Sequence, residues 1–291
     1  MRIAVAQWPV VAPVSMDDYA ARLRRETETV AGQGAQLAVL PEYLSLELAG
    51  MFADAVRTDF AASLAQLQPL YADWQELFAT LAQASGLHLL AGSFLLRQPN
   101  GRYRNRSELF APDGRRWFQD KLTLTGFERA AGCLEPGDQL QVFDTALGRI
   151  AVNVCYDCEF PLYLRRQYEA GARLLLVPSC TDTPAGATRV RVGCRARALE
   201  NQIYVAQSVT AGTAAWSPAL DTNTGNAAVY APSDRGLPDD GIIASAAAGT
   251  VWTCADIDTE ALVRLRSEGQ VANAADWDAQ LRPAVAAAVV R

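Results

Sequence analysis

The chain has 291 residues, of which 50% are hydrophobic and 20% are charged, and its formal net charge is −6. That length supports one large α/β domain or two small ones, while the acidic balance and the lack of a basic run argue against a nucleic-acid partner. No signal peptide and no membrane-spanning run of about 18 apolar residues is recognisable, so we expect a soluble cytoplasmic protein with no membrane partner. In that compartment the 6 cysteines are expected to be free thiols.

Short apolar runs alternate with longer helical patterns along the chain. Short apolar runs, mostly bounded by Gly, Pro, Asp or Ser, predict strands over 2–7, 35–42, 87–94, 106–112, 149–155, 173–179, 203–209, 227–232 and 250–257. Helices are predicted over 16–32 (after Ser15 as N-cap), 60–85 (interrupted at Pro69), 161–171 (from Pro161), 189–201 and 258–268. Because the strands are apolar nearly throughout, helices should cover the sheets.

Two further features concern organisation. The Asp-Gly turn in "FAPDGRR" (110–116) predicts a hairpin. No low-complexity linker divides the chain, so residues 1–266 are predicted to form one domain and residues 267–291 a less regular tail. The tail is either a helix packed on the body or an arm that reaches a partner subunit.

The segment "NVCYDCEFP" (153–161) places Cys155 and Cys158 three positions apart. A structural zinc site is disfavoured, because there is no second C-x-x-C and the one histidine, His88, lies in an apolar strand and is interpreted as a buried histidine with satisfied nitrogens. A redox pair is disfavoured as well, because Pro161 puts the helix start after both thiols and Asp157 opposes thiolate formation.

The third interpretation makes Cys155 a nucleophile at the end of a buried strand. A nucleophile needs a base and a group that stabilises an oxyanion. Glu42 follows the buried strand "LAVLPEY", and "FQDKLTLTGFER" carries Lys121 with Glu128 seven residues on. From spacing alone, Lys121 could equally be an ordinary surface lysine.

These three segments, in this order, resemble the signatures of the nitrilase superfamily of carbon–nitrogen hydrolases. "RIAVAQ", "LLAGSF", "RNRSELFAPDGR", "RARALENQIYVAQS" and "GNAAVYAP" agree, so the resemblance covers residues 1–258. It implies an α/β fold of the four-layer αββα sandwich type, and a homodimer or larger homo-oligomer.

The resemblance also implies roles for residues. Cys155 is the nucleophile, Glu42 the general base, and Lys121 stabilises the oxyanion together with the backbone N–H of Tyr156. Glu128 positions Lys121 and substrate, or else forms a plain salt bridge with a cation such as Arg129. No metal or organic cofactor is required.

The substrate implied by the resemblance is a small-molecule amide or nitrile. Tyr156-Asp157 after the nucleophile favours an amidase that releases ammonia or an amine; a nitrilase or an N-carbamoyl amino acid hydrolase is the alternative. Cys180 and Asp182 are expected at the substrate rim, and Asp157 is expected to brace its turn. The resemblance is weaker at Leu162, a position where many relatives carry Glu after the Phe-Pro pair. The arginines of "RARALEN" are interpreted as internal ion pairs or as a carboxylate-binding group.

Two other functions stay open at this point. A binding protein that kept the fold and lost the reaction would show replacement of Glu42, Lys121 or Cys155, and all three are present. An amidase subunit that supplies ammonia to a synthetase would need a separate partner chain.

Overall fold

The computed structural model describes residues 1–290, which form an alternation of strands and helices. The strands are β1 (Arg2–Pro9), β2 (Leu37–Val39), β3 (His88–Leu90), β4 (Phe94–Arg97), β5 (Tyr103–Phe110), β6 (Arg116–Asp120), β7 (Val142–Thr145), β8 (Gly148–Val152), β9 (Leu174–Ser179), β10 (Tyr204–Thr213), β11 (Thr222–Asn223), β12 (Ala228–Tyr230), β13 (Ile242–Ser245) and β14 (Trp252–Asp256). The α-helices are α1 (Met16–Gly32), α2 (Asp54–Arg57), α3 (Phe60–Leu67), α4 (Tyr71–Ser85), α5 (Gly126–Ala130), α6 (Pro161–Glu169), α7 (Pro184–Asn201), α8 (Thr259–Glu268) and α9 (Asn273–Asp276). Short 3₁₀ helices cover Leu44–Met51, Gln68–Leu70, Cys155–Glu159, Trp277–Leu281 and Pro283–Val285.

Strand β1 joins the two halves of the sheet. The main strand order is β4-β5-β3-β2-β1-β10-β9-β8-β7. The first part of β1 pairs with β2 (parallel) and β14 (antiparallel), whereas its last residues, Gln7 to Pro9, pair in parallel with β10. One strand therefore belongs to both halves and fixes their relative position.

Alternate residues of β1 enter two different cores. Ile3 and Val5 pack in a cluster with Ile150 and Leu176 of the second half of the sheet, and this cluster continues to α6 and α7. Ala4, Ala6 and Trp8 point the other way, into a cluster built with α1 and α4. Because side chains alternate across a strand, four layers follow one another as helix, sheet, sheet and helix. This arrangement confirms the predicted α/β sandwich.

Several helices begin or end at the residues that the sequence predicts. The Ser15 hydroxyl caps α1 by accepting from Asp18 N at 3.1 Å, and Tyr19, Leu23 and Val30 form its buried face. Pro69 lies in the 3₁₀ turn that separates α3 from α4, as predicted, because a proline has no N–H to continue the helix. The predicted hairpin is confirmed by the antiparallel pairing of β5 with β6.

Two predicted strands, 35–42 and 87–94, are shorter than expected. Their sheet pairing stops at Val39 and Leu90. Beyond them the two chain segments approach closely: a Cβ on Gly92, whose φ is +70°, would lie 2.1 Å from the Pro41 carbonyl oxygen. The two strands therefore end where these segments converge, and the residues after β2, including Glu42, lie outside the sheet.

Other boundaries differ as well. Helix α7 begins at Pro184 rather than at 189, because Thr183 caps it by accepting from Gly186 N at 3.1 Å. The sequence patterns missed β4, β6, β7, β11 and β13 as separate strands, which are short or contain polar residues.

The tail is partly packed and partly exposed. The expected boundary after residue 266 falls inside α8, which ends at Glu268. In α9, Ala274 is buried and accepts from the Arg165 guanidinium at 3.4 Å, and the Trp277 ring lies 4.6 Å from that guanidinium. Leu281 and Val289 are exposed. Arg291, the last residue of the predicted tail, lies outside the described residues. Within residues 1–290, no helix has both the length and the apolar character needed to cross a membrane.

Candidate active site

Glu42 lies just past the end of β2, in a segment with unusual backbone geometry. The next residue, Tyr43, has a φ of 62°, a left-handed conformation that is costly for a residue with a side chain. Glu42 is only 1% exposed. Backbone strain and a buried carboxylate together are typical of a functional site rather than of a structural turn.

Both carboxylate oxygens of Glu42 have partners. Oε1 accepts from Lys121 Nζ at 2.8 Å and from Asn105 Nδ2 at 2.8 Å. Oε2 accepts from the backbone N–H of Cys180 at 3.0 Å. The orientation of the carboxylate is therefore held from β5, from the segment after β6 and from the end of β9.

Lys121 follows β6 directly and is 1% exposed. Its ammonium group lies between two carboxylates, 2.8 Å from Glu42 Oε1 and 2.9 Å from Glu128 Oε2. The interpretation of Lys121 as a surface lysine is wrong, because a lysine this deeply buried is stable only when its charge is paired.

Glu128 belongs to α5 and is fully buried. Its Oε2 accepts from Thr125 N at 2.8 Å in a capping box, while its Oε1 accepts from the Tyr43 hydroxyl at 2.7 Å. Arg129 is wrong as the cation of the alternative salt bridge, because Arg129 donates to the Leu124 carbonyl and the cation that pairs with Glu128 is Lys121. Glu128 thus provides the second carboxylate that contacts the Lys121 ammonium group, beside Glu42.

Cys155 begins the 3₁₀ helix that follows β8 and has a φ of 49°. The thiol is 3% exposed and donates to the Cys180 carbonyl at 3.6 Å. Cys180 therefore contacts both candidate groups, since its N–H binds Glu42 and its carbonyl accepts from Cys155. The left-handed conformation turns the chain sharply and lets the thiol project from the end of the strand.

The electrostatics separate the two carboxylates. Burial raises the pKa of Glu42 in spite of the nearby Lys121 ammonium. Burial also favours the neutral form of Glu128, but Lys121 and the Thr125 N–H outweigh it and lower the pKa of Glu128. Carboxylates whose pKa values are pushed apart take different roles. Glu42 is the one suited to accept and return a proton.

The pKa values of Lys121 and Cys155 are also shifted, in directions that fit a fixed cation and a thiol that needs a base. Burial acts to lower the pKa of Lys121, but Glu128 and Glu42 outweigh it and hold the pKa well above its usual value. Burial, with a smaller effect from Glu42, raises the pKa of the Cys155 thiol well above the usual range. Lys121 is therefore a permanent cation, and Cys155 needs a base to become a thiolate.

A cavity of about 280 Å³ opens beside these groups. Its lining includes every residue that the sequence placed at the reacting centre or rim: Glu42, Lys121, Cys155, Tyr156, Cys180 and Asp182. Glu128 lies behind Lys121 and is closed off from the cavity surface. Sequence reasoning missed Arg189, which lines the cavity and pairs with Glu159 at 3.6 Å.

Other candidates from the sequence lie elsewhere or act differently. Cys158 is fully buried, and its thiol donates to the Val190 carbonyl at 3.6 Å, toward α7. His88 is buried in β3 as predicted, but its Nε2 has no hydrogen-bond partner. Within "RARALEN", the internal ion pair is confirmed for Arg197, which pairs with Glu200 at 3.0 Å, whereas Arg195 donates to the Asp240 carbonyl at 2.8 Å. No group of metal-ligating side chains with a suitable arrangement occurs within residues 1–290.

Asp157 braces a different segment from the one expected. Its carboxylate accepts from Leu122 N at 2.9 Å and from Thr123 N at 2.8 Å, so it ties the segment after Lys121 to the 3₁₀ helix of Cys155. Burial raises the pKa of Asp157 to about 7, in spite of these two backbone donors. The link between the lysine and cysteine segments therefore contains a group that titrates near neutral pH.

Replacing Asp157 by Asn should change how stability depends on pH. The pKa of Asp157 is raised above its unfolded value, so the folded state holds the proton more tightly and the stability contribution falls as pH rises toward 7. Asn has no such titration. We expect the unfolding free energy of the native protein minus that of D157N, measured with urea at pH 5 and pH 8, to be lower at pH 8. A constant difference across this range would contradict the raised pKa.

The chain also resembles known proteins. Residues 2–242 match the family described as carbon-nitrogen hydrolase. The probable hydrolase YhcX of Bacillus subtilis is 31% identical over 93% of this chain, although the chain spans only 52% of that relative. Omega-amidase NIT2-B of Xenopus laevis is 29% identical over 92% of each chain. Nit3 of Saccharomyces cerevisiae, whose crystal structure is described as a member of branch 10 of the nitrilase superfamily, superposes with a TM-score of 0.70 at 22% identity, covering 92% of this chain and 93% of that one.

Proposed function

The chain belongs to the carbon–nitrogen hydrolase family, which acts on non-peptide carbon–nitrogen bonds, and from this membership we propose that it is a cysteine-dependent amidase of small molecules. One observation supports the proposal most. Glu42 and Lys121 lie 2.8 Å apart, both nearly without solvent exposure, and line the same small cavity as the Cys155 thiol. A paired acid and amine at a cavity wall beside a thiol have the groups that acyl transfer needs.

In the first half of the proposed reaction, the amide becomes a thioester. Glu42 takes the proton of Cys155, and the sulfur attacks the amide carbonyl carbon. Lys121 Nζ and the backbone N–H of the residue after Cys155 stabilise the oxyanion that forms. When the tetrahedral intermediate collapses, the carbon–nitrogen bond breaks and Glu42 returns the proton to the leaving amine.

The second half releases the acid. A water molecule enters the place that the amine has left and gives a proton to Glu42 as its oxygen attacks the thioester carbon. The same oxyanion-binding groups act again. The carbon–sulfur bond breaks, the acid leaves, and the proton on Glu42 returns to the sulfur of Cys155. Glu128 stays ionised throughout in this scheme and keeps the ammonium of Lys121 charged.

We propose an amide rather than a nitrile as the substrate class. The Tyr156-Asp157 pair after the nucleophile resembles amidase-like branches of the superfamily, and several relatives are named omega-amidases. The cavity of about 280 Å³ suits a small molecule. Its rim carries Cys180, Asp182 and Arg189, which would contact the part of the substrate away from the reacting carbon.

We also propose a cytoplasmic homodimer whose residues 1–266 form the hydrolase domain. The free cysteines support a reducing compartment. Residues 267–291 would contribute to the contact between subunits, and the exposed apolar side chains of Leu281, Val285 and Val289 support that assignment.

An ammonia-release screen tests the proposed activity. Primary amides, N-carbamoyl amino acids and nitriles of matched carbon skeleton are incubated with the native protein, with and without EDTA, and the Cys155→Ala variant serves as the blank. We expect at least one amide to be hydrolysed faster than its matched nitrile, and EDTA to have no effect. Faster nitrile hydrolysis would reverse the substrate assignment. Ligand binding without turnover of any compound would favour a binding protein of the same fold.

A further inference from the structure

Asn105 lies in the middle of β5 and is fully buried, yet it takes part in the charged network of the site. Its Nδ2 donates to Glu42 Oε1 at 2.8 Å and lies 3.4 Å from Glu128 Oε1. One neutral amide group thus reaches both carboxylates. Asn105 is not part of the cavity lining, so whatever it does in the reaction it does through these two glutamates.

The charges around Glu42 show why such a donor matters. Two carboxylates, Glu42 and Glu128, share a single ammonium group, so the buried network has an excess negative charge when both are ionised. The other titratable groups that face Glu42 are thiols and a phenol, which are neutral in their protonated forms: Cys155, Cys180 and Tyr43. Excess buried negative charge is tolerated only when N–H or O–H groups donate to it.

The bond also fixes the direction in which Glu42 acts. Lys121 and Asn105 both donate to Oε1, and this oxygen is therefore occupied. Oε2 has only the Cys180 N–H at 3.0 Å, and the Cys180 carbonyl is the acceptor of the Cys155 thiol. A carboxylate held in this way presents its less occupied oxygen toward the side of the cysteine.

We propose that Asn105 is a positioning residue, which keeps Glu42 ionised and turns its Oε2 toward the thiol that Glu42 deprotonates. The inference rests on the proposed function, because it takes Glu42 to be the base of Cys155. A purely structural asparagine would support the strand and leave the proton affinity of Glu42 unchanged.

The test replaces Asn105 by Leu, which has a similar size and cannot donate. The matched control is Asn201→Leu: Asn201 is also fully buried, donates through Nδ2 to the Arg197 carbonyl at 3.3 Å and has an unpartnered Oδ1, but it does not line the cavity. Thermal unfolding of both variants measures the structural cost. Should Asn105→Leu fail to fold, Asn105→Ser, which is smaller and too short to bridge both carboxylates, takes its place.

The main readout needs no knowledge of the substrate. Iodoacetamide alkylates Cys155 at a rate that depends on thiolate formation, and mass spectrometry of the Cys155 peptide follows that rate from pH 5 to 9. We expect the acid limb of the profile to move upward by about one pH unit in the Asn105 variant, since loss of a donor disfavours ionised Glu42. The Asn201 variant should keep the native profile. Superimposable profiles of native protein and a folded Asn105 variant would overturn the proposal.

Kinetics on the best amide from the screen provide a second readout. We expect kcat to fall by about tenfold or more with little change in KM, because Asn105 does not touch the cavity. An increase in KM alone would contradict a role through Glu42. If no amide in the screen is hydrolysed, the proposed function fails by itself, and the alkylation profile still decides whether Asn105 governs the reactivity of Cys155.

Discussion

Replacing Cys155 by Ala is expected to abolish amide hydrolysis, with kcat lower by about 10³-fold or more. Cys158 cannot substitute for it, because its thiol points toward α7 and donates to the Val190 carbonyl, and the Cys180 thiol at the rim donates to Asn223 Oδ1 at 3.4 Å. The fold should persist, since the Cys155 thiol makes only one long hydrogen bond, 3.6 Å to the Cys180 carbonyl. Steady-state ammonia release and urea unfolding measure the two effects separately.

Cys158→Ser is the matched control for this experiment. Cys158 is fully buried beside Gly193 of α7, where an added Cβ on the glycine would lie 3.0 Å from its sulfur. A hydroxyl there should lower the unfolding free energy by about 1–3 kcal/mol and leave most of the activity. An inactive Cys158 variant together with an active Cys155 variant would reverse the choice of nucleophile.

Lys121→Arg is expected to lower kcat by about 10²-fold or more, although it keeps the positive charge. Removal of one oxyanion donor typically costs about 3 kcal/mol in the barrier. A planar guanidinium is larger than an ammonium and directs its donors in a fixed fork, so it cannot reproduce the contacts of 2.8 Å and 2.9 Å to Glu42 and Glu128. Overpacking at this fully buried position should also lower the unfolding free energy, by about 1–3 kcal/mol.

The matched control is the reverse exchange, arginine to lysine, at a partly exposed position. Arg104 forms ion pairs with Glu135 at 2.8 Å and Asp138 at 3.2 Å, outside the cavity. Arg104→Lys should change kcat by less than about twofold. Native activity in Lys121→Arg would show that only the charge matters, and would remove the geometric part of the proposed oxyanion contact.

The parts of the molecule that local patterns determine were predictable. The run from Arg2 and the helix from Met16 depend on apolar periodicity and a cap, and the structure has both. Glu42 follows β2, which the apolar run predicts, but Lys121 follows β6, which pairs with β5 and not with β2, so only the resemblance to the nitrilase superfamily implied that the two residues share a site. The composition also distinguishes Lys121, which is the one lysine among 26 lysine and arginine residues.

The contacts that could not be predicted join segments far apart in the chain. Asn105 reads as one of several polar residues in "YRNRSELF", and nothing local indicates that it alone reaches Glu42. Asp157 binds the backbone of Leu122 and Thr123, 35 and 34 residues away, and a backbone N–H leaves no trace in a sequence. The start of α7 carries a local signal, Thr183 as N-cap followed by Pro184 at the first helical position, and lies five residues before the predicted start at 189.

The isolation of Lys121 has a practical consequence for chemical labelling. Apart from Lys121 and His88, every basic side chain is a guanidinium, and guanidinium groups do not react with amine-directed acylating reagents under mild conditions. The single ε-amino group is buried between two carboxylates at the wall of the cavity. Apart from the amino terminus, the native protein therefore offers such reagents a single amine, which they can reach only through the cavity that Lys121 lines, and acylation of Lys121 reports access to the candidate site.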